Sequence, residues 1–366
     1  MHRRFLAVAA LSAVLAALSV PAPAAAATTG CTRSGDYTVC RTDPRGGEDT
    51  SIVAEIVRQI GKAKKGDTVR AAAFELTLHR TVAPLTEALA DAEGRGVDVR
   101  VVVGERSGGA DSSGPAIAEL EQAGAKVEQC AGSCLPTASG EGRGPHHNRF
   151  FLIERGGTPT VLVTSFNFRR GHAEQAHLMI GVHGDRELFE FYSGFWNRLY
   201  GGGWDGWGER DKTVATDLAQ AWVFPRKEDP IAEQLGRITG CGDGDRVLVA
   251  HANFQSNRPA VRGELDRIQG LGCQVRVLLT DKDTNDPGWL KDKLGKSNVR
   301  IHPAYRSKLI IAEAQFGDRH ESVVWTGTHN LTANSLNQTD DNVLKVEDGE
   351  VVDLLAAYFQ RLWREA

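Results

Sequence analysis

Two short runs of this sequence carry residue types that can do chemistry on an anion. "PHHNRFFLIE", residues 145–154, sets a histidine, a base and an acid at His147, Arg149 and Glu154. "RSKLIIAE", residues 306–313, repeats that spacing with Arg306, Lys308 and Glu313. Downstream of each stands a hydroxyl residue two places before an asparagine: Ser165 with Asn167 in "VTSFNFRRG", and Thr328 with Asn330 in "WTGTHNLTAN". On a strand, side chains at i and i+2 share a face, so His147 projects with Arg149 and Arg306 with Lys308. Glu154 and Glu313 have the opposite parity, which suits a structural or orienting role. If the two strands converge, one imidazole and three cations surround an anion the size of a phosphodiester, with Ser165, Asn167, Thr328 and Asn330 as neutral donors.

The elements that must position these residues recur in the same order. "GDTVRAAAFEL" (66–76) leads through a helix-period stretch to "VDVRVVVGERSGG", and "GDRVLVAHANF" (244–254) leads through "AVRGELDRIQGLG" to "CQVRVLLTDKDTN". Apolar β-branched runs alternating with helical segments predict βαβ units with a parallel, buried sheet. Each half opens and closes with a similar helix, "FYSGFWNRLYGG" answering "LLAAYFQRLW". The sequence is therefore an α/β duplication with its seam between residues 201 and 220. In that seam "GGGWDGWGERDK" reads as a linker whose Trp204 and Trp207 either pack onto a domain or meet a lipid surface or a base.

With its paired motifs in corresponding halves, the sequence resembles the phospholipase D superfamily. That signature is His-x-Lys-x4-Asp followed by Gly-Ser-x-Asn, present twice. The resemblance implies two pseudo-symmetric α/β sandwich domains with one active site at their interface, taken here as residues 28–205 and 206–366. It also implies a phosphohistidine mechanism, with His147 as nucleophile and Arg149, Lys308, Asn167 and Asn330 as catalytic partners. Arg306, Ser165, Thr328 and His329 are then substrate-binding residues. The family places an orienting acid after the asparagine, and Glu174 in "HAEQAH" and Asp341 in "QTDDN" are the candidates. The departures fall on the same positions. Arg149 stands where the family has lysine, Arg306 where it has the second histidine, and Glu154 and Glu313 where it has aspartate. Guanidinium keeps its protons, so Arg306 cannot be the general acid. His302, His329 and His146 are the substitutes considered for that role.

The chain opens with "MHRR", an apolar run and "PAPAAAATTG", which predicts a secretory signal over residues 1–27. Six cysteines follow it, and the local pairings 31–40, 130–134 and 241–273 are the simplest disulfide set. The glycine-rich run "GERSGGADSSG" reads as a βα loop, and the run from Cys130 to His147 as a loop lining or covering the site. No metal or cofactor is called for, because the cationic side chains supply the charge a metal would bring. The net charge of −4 disfavours a broad hold on nucleic acid. The expected partner is thus a phosphodiester, a phospholipid first, met by a secreted monomer with transient membrane-surface contact. A binder with a degenerate site and a nuclease-like enzyme are the alternatives.

Overall fold

A computed structural model describes residues 30–105, 112–138, 144–283 and 285–366. The expected signal segment and residues 106–111 of the glycine-rich loop lie outside the described residues. The first half begins with the hairpin β1 (Gly30–Ser34) and β2 (Tyr37–Arg41), then helix α1 (Ser51–Ile60). Next come β3 (Thr68–Ala73), α2 (Ala83–Gly94), β4 (Asp98–Gly104), α3 (Gly114–Gln122) and β5 (Lys126–Cys130). It closes with β6 (Arg149–Arg155), β7 (Thr158–Thr164), β8 (Leu178–His183) and α4 (Arg186–Gly201). The second half repeats the plan with β9 (Thr213–Ala215), β10 (Gln220–Val223) and α5 (Pro230–Gly236). After a short β11 (Ile238–Gly240) follow β12 (Arg246–His251), α6 (Pro259–Gly270), β13 (Gln274–Leu279), α7 (Pro287–Leu294) and β14 (Val299–Ile301). β15 (Lys308–Phe316), β16 (Arg319–Gly327), α8 (Ala333–Asn337), β17 (Asn342–Val346) and α9 (Gly349–Glu365) complete it.

The strand orders coincide. One sheet runs β1-β2-β8-β7-β6-β3-β4-β5 and the other β9-β10-β17-β16-β15-β12-β13-β14, with β11 added beside β15. The sheets are mixed rather than parallel throughout. β3 pairs with β4 and β4 with β5 in parallel, as the alternating pattern predicts, but β6, β7 and β8 run antiparallel. The reason is local: Gly156 and Gly157, at φ 54° and 81°, join β6 to β7, and so short a connection can only reverse the chain.

Period-2 alternation on the strands divides the core into three. Val69, Ala71 and Ala73 of β3 face α1, α2 and α3, and Val247 and Val249 of β12 face α5, α6 and α7. The opposite faces of both sheets meet in one central layer around α4 and α9. These two helices start alike, Asp185 accepting from the Leu188 amide and Asp348 from the Val351 amide, each at 2.9 Å. The Trp196 indole donates to the Ala71 carbonyl, and the Tyr358 hydroxyl to that of Thr42, both at 2.9 Å. α9, from the end of the chain, is thereby tied to the first sheet.

Trp204 and Trp207 stack between Phe195 and Phe191, with the Lys212 ammonium 4.0 Å from the Trp204 ring and the Arg198 guanidinium 4.2 Å from that of Trp207. They fasten the connecting segment onto the central layer. The disulfides are Cys31–Cys40, Cys130–Cys134 and Cys241–Cys273. No helix among the described residues is long and apolar enough to cross a membrane.

Candidate active site

β6 and β15 start at the same end of their sheets, at Arg149 and Lys308, and the residues just before each strand reach across to the other half. An isolated parallel bridge joins His146 to Asp340, and its counterpart joins Tyr305 to Ala176. At the first bridge three consecutive residues pair with three. His146 Nδ1 lies 3.4 Å from Asp340 Oδ2, His147 Nδ1 lies 2.8 Å from Asp341 Oδ1, and Asn342 Nδ2 donates to Asn148 Oδ1 at 2.8 Å. Backbone bonds fix this register, the His147 amide donating to the Asp340 carbonyl at 2.9 Å and the Gly144 amide to that of Gln338 at 3.0 Å. A Cβ on Gly144 would stand 2.5 Å from Thr339 Oγ1 and 2.7 Å from Gln338 O, so only glycine lets these backbones approach. The described part of the Cys130–His147 loop thus docks on the second half, while residues 139–143 lie outside the description.

His147 keeps 12% of its side chain exposed above the fully buried Asp341. Its ring stands edge-on to Phe74 at 5.1 Å, and the same phenyl carries the Arg149 guanidinium at 5.4 Å. Arg149 is buried, its Nε donates to Asn167 Oδ1, and its Nη1 has no partner among the described residues. Lys308 is buried and donates to the Arg306 carbonyl at 3.1 Å. Burial, helped by Arg149 and Lys308, holds the His147 imidazole well below its ordinary pKa of 6.5, so the ring is neutral. Burial pushes the Asp341 carboxyl up and the Lys308 ammonium down, each partly offset by the charge of the other. The Arg149 guanidinium is lowered to about 10, again by burial, while Asp341 and Glu75 act to restore it.

The other expected residues divide into those near this centre and those far from it. The Thr328 hydroxyl accepts from the Asn342 amide at 3.0 Å, and Ser165 Oγ from the Leu178 amide at 3.1 Å, which is the same contact in the two halves. Asn330 is half-buried beside His329. His329 Nε2 takes a bond from Arg258 at 2.9 Å and its ring stacks on Phe224 at 3.9 Å, while its Nδ1 lies 4.0 Å from Asp341 Oδ2, beside the centre. The Arg306 guanidinium turns to its own loop, donating to the carbonyls of Pro303 at 2.8 Å and Tyr305 at 2.9 Å. Glu174 is exposed in a 3-10 turn, and the acid that meets His147 is Asp341 from the opposite half. Glu154 and Glu313 sit toward the far ends of β6 and β15, paired with Arg186 and Arg246. His302 lies 3.6 Å from Glu365 at the end of α9, and His146 is buried against Asp340.

Sequence reasoning missed His177. It stands immediately before β8 as Asp341 stands immediately before β17, and the two bridges make these positions equivalent. His177 lies ten residues after Asn167 whereas Asp341 lies eleven after Asn330, and searching for an acid led to Glu174 instead. Counting back from the apolar strand that follows would have found it. The cluster of Cys134, His146 and Asp340 has the spacing of a metal site, but Cys134 is bonded to Cys130 and offers no thiolate.

Solved structures share this architecture. The polyphosphate kinase of Porphyromonas gingivalis superposes with a TM-score of 0.63 at 13% identity over 90% of this chain, which spans about half of that protein (47%). The phosphatidylserine synthase of Haemophilus influenzae superposes with a TM-score of 0.61 at 10% identity, over 92% of this chain and 87% of that one. At such identities the likeness shows the fold alone. Among curated proteins none matches the sequence. The family profile described as "Cardiolipin synthase, PLD-like domain" matches residues 56–198 and 237–363, one stretch in each half. With both motif-bearing strands inside those stretches and meeting at one interface, the chain belongs to the phospholipase D-like family.

Proposed function

We propose that the protein is a secreted phosphodiesterase that hydrolyses or transfers a phospholipid or a related diester through a phosphohistidine at His147. The observation that carries this reading is the 2.8 Å bond between His147 Nδ1 and the buried Asp341. A carboxylate on Nδ1 selects the tautomer whose Nε2 holds a lone pair, and it stabilises the imidazolium-like charge that grows as Nε2 attacks phosphorus. Arg149, Lys308, Asn167 and Asn330 bind the non-bridging oxygens and offset their charge. In this reading Asp341 orients the nucleophile, and Glu154 and Glu313 hold the strand ends through their ion pairs.

Secretion is supported by the three disulfides and by the amino-terminal apolar run. Residues 28–205 and 206–366 form the two domains of a monomer that meets membranes transiently. Lipid is favoured over nucleic acid by the acidic balance of the chain. The test is a parallel assay of wild type and His147→Ala on phosphatidylcholine vesicles, plasmid DNA and a nitrophenyl phosphodiester. Turnover of vesicles that requires His147 supports the reading. Cleavage of DNA alone would reassign the substrate, and binding without turnover of any diester would reduce the protein to a phosphate binder.

A further inference from the structure

The two halves present matching positions across their interface and fill one pair differently. On one side His147 meets Asp341. On the other side the equivalent positions hold Arg306 and His177, as the bridges His146–Asp340 and Tyr305–Ala176 define them. The Arg306 guanidinium is folded back onto the carbonyls of Pro303 and Tyr305. His177 is fully buried, its Nδ1 lies 3.2 Å from Ser165 Oγ, and its Nε2 has no partner among the described residues. Leaving a buried ring nitrogen unpaired costs about 1–3 kcal/mol, and Nε2 is thereby left available to a bound group.

We propose that His177 is the second histidine of the reaction, protonating the leaving oxygen of the diester and then activating water. The inference rests on the phosphodiesterase reading. The Asp341 carboxylate reaches the His147 ring, and at the equivalent position the His177 imidazole stacks on His172 at 5.0 Å, within the field of Lys308, Arg149 and Arg306. Ser165 Oγ anchors Nδ1 and is itself bonded to the Leu178 amide at 3.1 Å and to Ser307 of the opposite half at 3.0 Å. This directs the ring while Nε2 carries the proton. As the bond from His147 Nε2 to phosphorus forms and the bond to the leaving oxygen breaks, the Nε2 proton of His177 passes to that oxygen. Water then attacks phosphorus and gives a proton to His177, and the phosphorus–nitrogen bond breaks to return His147.

The ring is neutral in the free protein, because burial and the charges of Lys308, Arg149 and Arg306 disfavour its protonation. A bound diester anion offsets Lys308 and Arg149, so the proton enters with the substrate.

The experiment compares wild type with His177→Gln, which keeps the bulk and a hydrogen bond but cannot relay a proton. The substrates are a nitrophenyl diester and short-chain phosphatidylcholine. The expected result, read as the single-turnover rate of leaving-group release, is a loss of ~10²–10⁴ on phosphatidylcholine and under about tenfold on the nitrophenyl diester, with substrate affinity held within about threefold. An equal loss on both substrates, or none on either, would overturn the assignment. Should the variant fold poorly, wild type alone decides. Across a series of leaving groups, protonation makes the single-turnover rate of leaving-group release depend shallowly on leaving-group basicity, and a steep dependence overturns the proposal. A wild type inert on every diester removes the phosphodiesterase reading itself, whereas an active wild type indifferent to His177 removes only this inference.

Discussion

His147 and Asp341 stand 194 residues apart and share a 2.8 Å hydrogen bond across the interface of the two halves. Neither half holds both members of the pair, so the site depends on the register set by the His146–Asp340 bridge. Asp341→Asn should therefore lower kcat by ~10²–10⁴, since the amide keeps the shape but not the charge that steadies the imidazolium. The same change leaves Arg149 and Lys308 without their buried counter-charge and should cost about 3 kcal/mol in urea unfolding. A variant of full activity would contradict the role given to Asp341.

Arg149 is wholly buried and bonded to Asn167, with Nη1 unpaired. Arg149→Lys keeps the charge but loses the planar fork, and it should reduce kcat/KM by ~10²-fold. Steady-state kinetics on the nitrophenyl diester check this. A change of less than threefold would show that the cation acts only through net charge.

Arg306 spends its guanidinium on two carbonyls of its own loop. Arg306→Ala should therefore shift KM by less than about tenfold, well below the loss expected at Arg149. A KM rise of a hundredfold or more would place Arg306 on the phosphate after all.

Stability should fall on acidification. His147, His172, His177, His251 and His329 are all held well below the ordinary 6.5, by burial first, and His183 is lowered to about 4. Below pH 6.5 the unfolded chain takes up protons that the folded chain refuses, so stability rises with pH there and is lost as pH falls toward the folded values. Asp340 and Asp341, raised by burial, act in the opposite sense but are fewer. Each histidine that stays neutral contributes up to about 1.4 kcal/mol per pH unit. The urea midpoint should drop steadily from pH 7 to pH 5, and a flat midpoint would contradict the neutral histidines.

The duplication, the strands that begin at Arg149 and Lys308 and the three disulfides could be read from spacing, because strand periodicity and motif order are local signals, whereas His147 and Arg306, expected on those strands, stand two residues ahead of them. The antiparallel return of β7 and β8 was hidden, since apolar runs look alike in either direction and only the Gly156–Gly157 turn reveals the reversal. The orienting acid was legible as a type but not as a partner. Glu174 and Asp341 both follow an asparagine, and nothing in one half's sequence says that its acid serves the other half. His177 escaped because it is not an acid at all. Arg306 carries a charge suited to phosphate, and its turn toward Pro303 and Tyr305 depends on loop geometry that residue type does not encode.

The central claim is that His147 is the nucleophile, and it is tested most directly by intact mass and peptide mapping after rapid acid-free quenching with a nitrophenyl phosphodiester. The account predicts one phosphoryl-ester adduct on His147, absent from His147→Ala and accumulating further in His177→Gln, where breakdown by water is slowed. Turnover of the diester by His147→Ala, or an adduct on any other residue, would contradict it.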